Sequence, residues 1–151
     1  MLPTRAFWGV AVWTGPSIGL PDLNCLKNAA NSVAARREKP DSPLVTNLPA
    51  GHVIHTVGPV WHGGDHNEDN LLASCYRNSL ELALKHKLRS IAFPSISTGV
   101  YRFPIERASR IALRVIHDFV VSEDHAPRVM VVCFSEADQA VYQKAYQELM
   151  F

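Results

Sequence analysis

The sequence predicts an α/β fold, a mostly parallel sheet flanked by helices and incomplete at its N-terminus. From residue 51 onward, short β-branched runs alternate with amphipathic stretches in the order strand, helix, strand, helix, strand, helix. That alternation is the pattern of parallel strands joined by crossover helices. Before about residue 48 the chain reads differently, with prolines at positions 3, 16, 21, 40 and 43 and no sustained period of either kind.

Each element has its own reason. His52 to Val57 is β-branched, alternates, and ends at Gly58-Pro59, as a strand running into a loop does. Across residues 69–87, Leu72, Cys75, Tyr76, Leu80 and Ala83 recur at helical spacing and leave Asp69, Arg77 and Lys85 for solvent. Residues 90–97 read as a short buried strand. Pro104 suits the first turn of a helix over 104–121, because its missing N–H costs nothing there, and Ala108, Ile111, Ala112, Val115 and Phe119 form the inner stripe. A third strand over 128–134 precedes Ser135, a helix cap, and a last helix over 136–149 with Ala137, Ala140, Val141, Ala145 and Leu149 along one face. The three strands are expected to be parallel neighbours. In the first 48 residues only Phe7 to Trp13 reads as a possible strand, and the segment is expected to show little regular structure.

Composition narrows the class of function. With 151 residues and 47% hydrophobic content the chain is long enough for one domain with a core, and a net charge of +1 gives no electrostatic reason to expect nucleic acid. Cys25, Cys75 and Cys133 are odd in number and lack metal-type spacing, which suits a reducing compartment, so a cytoplasmic protein is expected. No apolar run approaches the roughly 18 residues of a membrane span, and the N-terminus lacks the layout of a signal peptide.

Few residue sets suggest chemistry. His52 and His55 are three apart on a strand and so face opposite ways, which argues against a metal site. His55 reads as a buried strand histidine, and His62, Asp65 and His66 fall in a solvated loop. Lys85 to Lys87, Arg36 and Arg37, and the helical pair Arg107 and Arg110 read as solvated faces. No G-x-S-x-G elbow supports a hydrolase triad built on Ser95 or Ser97. The loop from Phe93 to Pro104 is different, because it follows a strand at the carboxyl end of the sheet, where ligands of open α/β sheets bind. Ser95, Ser97, Thr98 and Gly99 are small enough for successive N–H groups to converge on an anion, and Gly99 permits positive φ. From the residues alone, an anion site and an ordinary Ser/Gly turn both remain open.

A resemblance adds to this reading. Leu48-Pro49-Ala50-Gly51 leading into His52–Val57, Gly58-Pro59-Val60-Trp61, then a helix, then Pro94 to Tyr101, then Val131 to Phe134 before an acidic helix start, resemble the C-terminal two-thirds of a three-layer macrodomain. The group resembled is that of the bacterial O-acetyl-ADP-ribose deacetylases and mono-ADP-ribosyl hydrolases. The resemblance implies ADP-ribose or O-acetyl-ADP-ribose as ligand, ADP-ribosylated protein as a further partner, ester hydrolysis as the parent activity, and no cofactor. It further implies that Ser97, Thr98, Gly99, Val100 and Tyr101 wrap the pyrophosphate and distal ribose, with Phe134 beside the adenine.

The other half of that family site is an Asn-Ala-Ala-Asn segment, a glycine run, Val-Asp-Gly and a helix opening with Ile-His. Asn28-Ala29-Ala30-Asn31 reads as a decoy, since no strand precedes it and no glycine run follows it. The codons give a better account. Trp8 followed by Gly9 forces a glycine codon in the neighbouring frame, and Trp13 followed by Thr14 forces an aspartate codon. With free synonymous choice elsewhere, residues 1–48 reread in that frame contain the glycine run, Val-Asp-Gly and Ile-His in family order and join in register at Leu48. Residues 1–48 are therefore read as a frameshifted, non-native segment and residues 49–151 as the macrodomain part. Asp22 and Asn24 do not substitute for the missing residues, and no catalytic residue is assigned in the chain as written. Three functions stay open: an impaired hydrolase, a non-catalytic ADP-ribose-binding module, and a fragment without function.

Overall fold

The computed structural model describes residues 52–150 and the backbone of 10–13 and 34–37. Its elements run β1 (Val10–Trp13), β2 (Ala34–Arg37), β3 (His52–His55), α1 (Glu68–Lys85), β4 (Ser90–Pro94), α2 (Ile105–Ser122), β5 (Arg128–Val132) and α3 (Glu136–Met150). Among the described residues these strands form one sheet in the order β2-β3-β1-β4-β5. β3, β4 and β5 share one direction, as expected, but β3 and β4 are not neighbours. The crossover through α1 skips one strand position, and β1 fills it, pairing in parallel with both. Of the segment before residue 48, expected to show little regular structure, β1 and β2 are described and the rest lies outside the described residues. Val10–Trp13 is an apolar run of the kind a strand paired on both edges requires, and antiparallel β2 closes the edge beside β3. Trp8, Asp22, Asn24 and the Asn28 to Asn31 segment lie outside the described residues.

One face of the sheet carries the core. Ile54, Ile91 and Phe93 are fully buried there, with Val129 and Val131 packed against the same cluster. Register explains the pairing of sides, since Ile91 lies opposite Val129 and Phe93 opposite Val131, while Ala92 and Met130 belong to the other face. All three helices cover the first face. α1 contributes every residue of its expected stripe, Leu72, Cys75, Tyr76, Leu80 and Ala83, all fully buried, and α2 contributes Ala108, Ala112 and Val115. Each large apolar side chain so buried contributes roughly 1.5–3 kcal/mol. The helical layer expected on the other face of a three-layer fold lies outside the described residues.

Two expectations of facing are corrected. His55 is exposed rather than buried, because Ile54 takes the core side and the strand period of two sends its neighbour outward. In α3 the buried positions are Tyr142 and Ala145, with Ala137 and Ala140 exposed. The helix is rotated to seat the bulky Tyr142, and a stripe of alanines offers too little apolar area to oppose that. Pro104 is the residue before α2, with φ −59 and ψ 123, rather than part of its first turn. Asp69 and Arg110 are also not simple solvated positions. Arg107 grips Asp69 through Nε and Nη2 at 2.8 Å each, tying α2 to α1, and Arg110 Nη2 reaches Glu148 at 2.8 Å, tying α2 to α3.

The loop before α1 is organised by a buried acid. Glu68 is 1% exposed, and its carboxylate accepts the N–H groups of His62 (3.0 Å), Gly64 (3.2 Å) and His66 (2.6 Å). Burial pushes its pKa up, but these donors and its own N–H outweigh that and hold it at about 2. A carboxyl held below its unfolded value of about 4.5 stabilises the fold above that pH and loses the contribution as pH falls toward 2. Amide hydrogen exchange at His62, Gly64 and His66, measured from pH 5 down to pH 2 and corrected for intrinsic rates, is expected to lose protection. Glu68→Gln is expected to start less protected and to show no such pH dependence.

Candidate ligand-binding site

A cleft of about 930 Å³ opens at the carboxyl ends of β4 and β5. Ser97, Thr98, Gly99, Val100, Tyr101 and Phe134 all line it, so the structure brings together every expected site residue. Ser95, Cys133 and Asp138 join them. The loop between β4 and α2 is closed on itself. Phe103 N–H donates to Ser97 C=O at 3.0 Å, and Arg102 N–H donates to Gly99 C=O at 2.9 Å. Among the described residues, the N–H groups of Gly99, Val100 and Tyr101 donate to nothing, while the Thr98 N–H turns back toward Ser95 C=O in the turn over Ile96 and Ser97. Three consecutive unspent donors therefore lie on residues that line the cleft.

The backbone reaches this shape differently from the sequence expectation. Left-handed φ falls on Ser97 (65°) and Arg102 (56°), while Gly99 does not adopt it. Among the described residues a Cβ on Gly99 would meet no atom within 4 Å, so neither φ nor packing against them requires the glycine. The glycine that packing does require is Gly58. A Cβ there would sit 2.2 Å from Ser97 Oγ and 2.6 Å from Ile96 Cγ2. Its absence lets the segment after β3 press against the loop.

Neighbouring elements fix the loop at both ends. At its start, the fully buried Tyr76 of α1 accepts the N–H of Ile96 at 3.2 Å and donates to Pro94 C=O at 3.4 Å. Ser95 Oγ meets the Tyr142 hydroxyl of α3 at 3.0 Å, and Thr98 Oγ1 donates to Ser95 C=O at 3.1 Å. Burial pushes both phenols above their usual pKa, so both stay protonated. At the far end, Trp61 N–H donates to Tyr101 C=O at 2.9 Å, its ring packs tilted against Phe103 with centroids 4.7 Å apart, and the Arg107 guanidinium lies 5.2 Å over it. Arg107 is thus spent on Asp69 and Trp61 and does not serve the cleft as a free cation.

Charge in the cleft is sparse. Among the described residues lining it there is no lysine, arginine or histidine, and Asp138 is the one carboxylate. An anion would therefore be held by backbone dipoles and not by counter-ions. Phe134 is 99% exposed on the cleft lining. Cys133 beside it is pushed above the usual thiol pKa by burial and by the Asp138 charge, so it is a weak nucleophile. Ser135 caps α3 as expected, accepting the Asp138 N–H at 3.1 Å. Gly58, Trp61, Tyr76 and Tyr142 were missed as site-forming residues. Two signals could have found them: a glycine ending a strand, which marks close backbone approach, and tyrosines on buried stripes, whose hydroxyls must find partners.

Comparison with known proteins follows this geometry. The Macro domain family matches residues 45–112. The Oceanobacillus iheyensis macrodomain with MES bound is 33% identical, with TM-score 0.75 over 96% of this chain and 87% of that one. The chain belongs to the macrodomain family. The macrodomain of the same organism with ADP superposes with TM-score 0.72 at 41% identity, over 84% of this chain and 64% of that one. A macro domain-containing protein of Chlorobaculum tepidum is 58% identical over 98 residues, 65% of this chain and 57% of the relative. The O-acetyl-ADP-ribose deacetylase of Klebsiella pneumoniae is 53% identical over 101 residues, 67% of this chain and 58% of the relative. The chain therefore spans little more than half the length of these two relatives.

Within this macrodomain, two substitutions separate packing from conformation. Gly58→Ala is expected to destabilise by about 1–3 kcal/mol through overpacking, whereas Gly99→Ala is expected to change stability by less than about 0.5 kcal/mol; urea denaturation of both checks this. Tyr76→Phe is expected to cost about 1–3 kcal/mol, because it strands the buried Ile96 N–H and Pro94 C=O. Equal stability of Tyr76→Phe and the parent chain would contradict the hydroxyl's assigned role.

Proposed function

We propose that the cleft holds ADP-ribose or O-acetyl-ADP-ribose, with the diphosphate on the donors of Gly99 to Tyr101 and the adenine on Phe134. The observation that carries this is the run of three unspent N–H groups, Gly99 to Tyr101, on a loop closed by Ser97 and Phe103. Diphosphate oxygens match converging backbone donors, and a base matches an exposed aromatic face. A macrodomain relative has been solved with ADP and another carries the name O-acetyl-ADP-ribose deacetylase, which supports the reading. ADP-ribosylated protein is the further partner proposed. Among the described residues no helix is long and apolar enough to cross a membrane, and a cytoplasmic location is proposed from the cysteine usage.

The parent activity proposed is hydrolysis of an ester-linked ADP-ribose derivative, impaired in this chain because residues 1–48 are translated from a shifted frame. Matches to Chlorobaculum and Klebsiella relatives extending over only 98 and 101 residues support this, as do the forced codons at Trp8 and Trp13. A glycine run and aspartate restored at the cleft would orient the distal ribose and add donors, each worth about 10²–10³ in rate. Turnover of O-acetyl-ADP-ribose by the written and frame-restored proteins, side by side, is expected to show only a trace with the former. Comparable rates would overturn the assignment. In an amide-shift titration of the written chain with ADP-ribose, Thr98 to Tyr101 are expected to move first, and silence there with shifts elsewhere would remove the site.

A further inference from the structure

Three successive residues at the exit of β4 are held by two phenols, one from α1 and one from α3. Tyr76 of α1 takes the C=O of Pro94 and the N–H of Ile96, and Tyr142 of α3 takes the hydroxyl of Ser95 between them. Both rings are buried, Tyr76 fully and Tyr142 to 5% exposure. From Ser95 the connection continues into the donor loop, because its C=O accepts Thr98 Oγ1 at 3.1 Å. Thr98 precedes the run of unspent N–H groups. Tyr142 also lies on the helix whose preceding turn carries Phe134, the aromatic at the other end of the cleft. The Tyr142 hydroxyl, which also meets that of Tyr76, therefore links the helix that follows Phe134 to the start of the donor loop.

A merely structural hydroxyl pair would sit anywhere in the core. This pair sits where a small rotation of Ser95 turns Thr98 and the following peptide planes, and Ser97 next to it is already committed to left-handed backbone with a buried, unpartnered Oγ. A loop so constrained has few compensating motions, so the Ser95 contact sets its donor directions.

We propose that Tyr142 is a positioning residue for the anion end of the cleft, acting through Ser95 to orient the N–H groups of Gly99 to Tyr101 toward the diphosphate. This rests on the reading that the cleft takes ADP-ribose. Neither Tyr142 nor Ser95 touches the ligand's base in this account, so their loss should weaken recognition of the phosphates and leave recognition of the base alone.

The test uses Tyr142→Phe and Ser95→Ala in the full chain, with Tyr142→Leu avoided because it would empty the core. ADP-ribose is titrated by calorimetry and adenosine by amide chemical shift, alongside thermal melts and the shifts of Thr98 to Tyr101 without ligand. The expected result is a loss of about five- to tenfold in ADP-ribose affinity for either variant, unchanged adenosine affinity, displaced loop amides, and a double variant no worse than the worse single one. The proposal is overturned if ADP-ribose affinity is unchanged, or if ADP-ribose and adenosine weaken together in step with melting temperature, which is the signature of a purely structural contact. If the parent chain binds no ADP-ribose, the ligand reading fails; loop amides displaced by Tyr142→Phe would then still support positioning, and undisplaced ones would overturn it.

Discussion

The cleft depends on how a buried strand is released into a loop. At the end of β4, where Pro94 pairs with Val132, the backbone leaves the sheet, and the part-buried Pro94 C=O and the buried Ile96 N–H lie at the exit. The Tyr76 hydroxyl satisfies both. An apolar side chain at that position would fill the same volume and strand two polar groups, each costing about 1–3 kcal/mol. One oxygen atom on α1 thus determines whether the chain can turn at this point, and the closed loop from Ser97 to Phe103 is built on that turn.

Packing then converts the turn into a shaped surface. Gly58 lets the segment after β3 approach Ser97, and Trp61 carries that approach to Tyr101 and Phe103. Arg107 lies over Trp61 and pairs with Asp69, so the two helices flanking the loop are held to the same aromatic ring. Exposed ion pairs contribute little, about 0–1 kcal/mol. The value of this one is geometric, since a bidentate guanidinium fixes the ring it covers. Glu68 performs the same service for the preceding loop by collecting three N–H groups on one carboxylate.

The resulting site favours dipoles over charges. Three residues with unspent backbone donors line a cleft that contains no cation among its described lining residues and one carboxylate. Such an arrangement suits a diphosphate flanked by neutral groups better than a bare highly charged ion, because directional N–H groups reward a fixed geometry and an ammonium does not. The separation of a donor loop on β4 from an aromatic on β5 follows from the sheet itself, since adjacent parallel strands deliver their loops to one edge, where α/β ligands bind.

Periodicity in the sequence by itself determined the elements from residue 52 onward, the buried stripes of α1 and α2, and the loop that would carry the donors, because helical and strand spacing of apolar residues is a local property. Its motifs determined the family. Local spacing could not say that β1 lies between β3 and β4, since strand order depends on which gap a crossover leaves. Nor could it say that α3 turns Tyr142 inward at the expense of its alanines, or that His55 faces outward, since these follow from what the opposing surface can accept. Most plainly, it assigned the conformational role to Gly99, the glycine inside the motif, when tertiary contact places the demand on Gly58, outside it. A glycine needed for φ is visible in a local pattern; a glycine needed because another segment presses against it becomes visible only once both segments have been brought together.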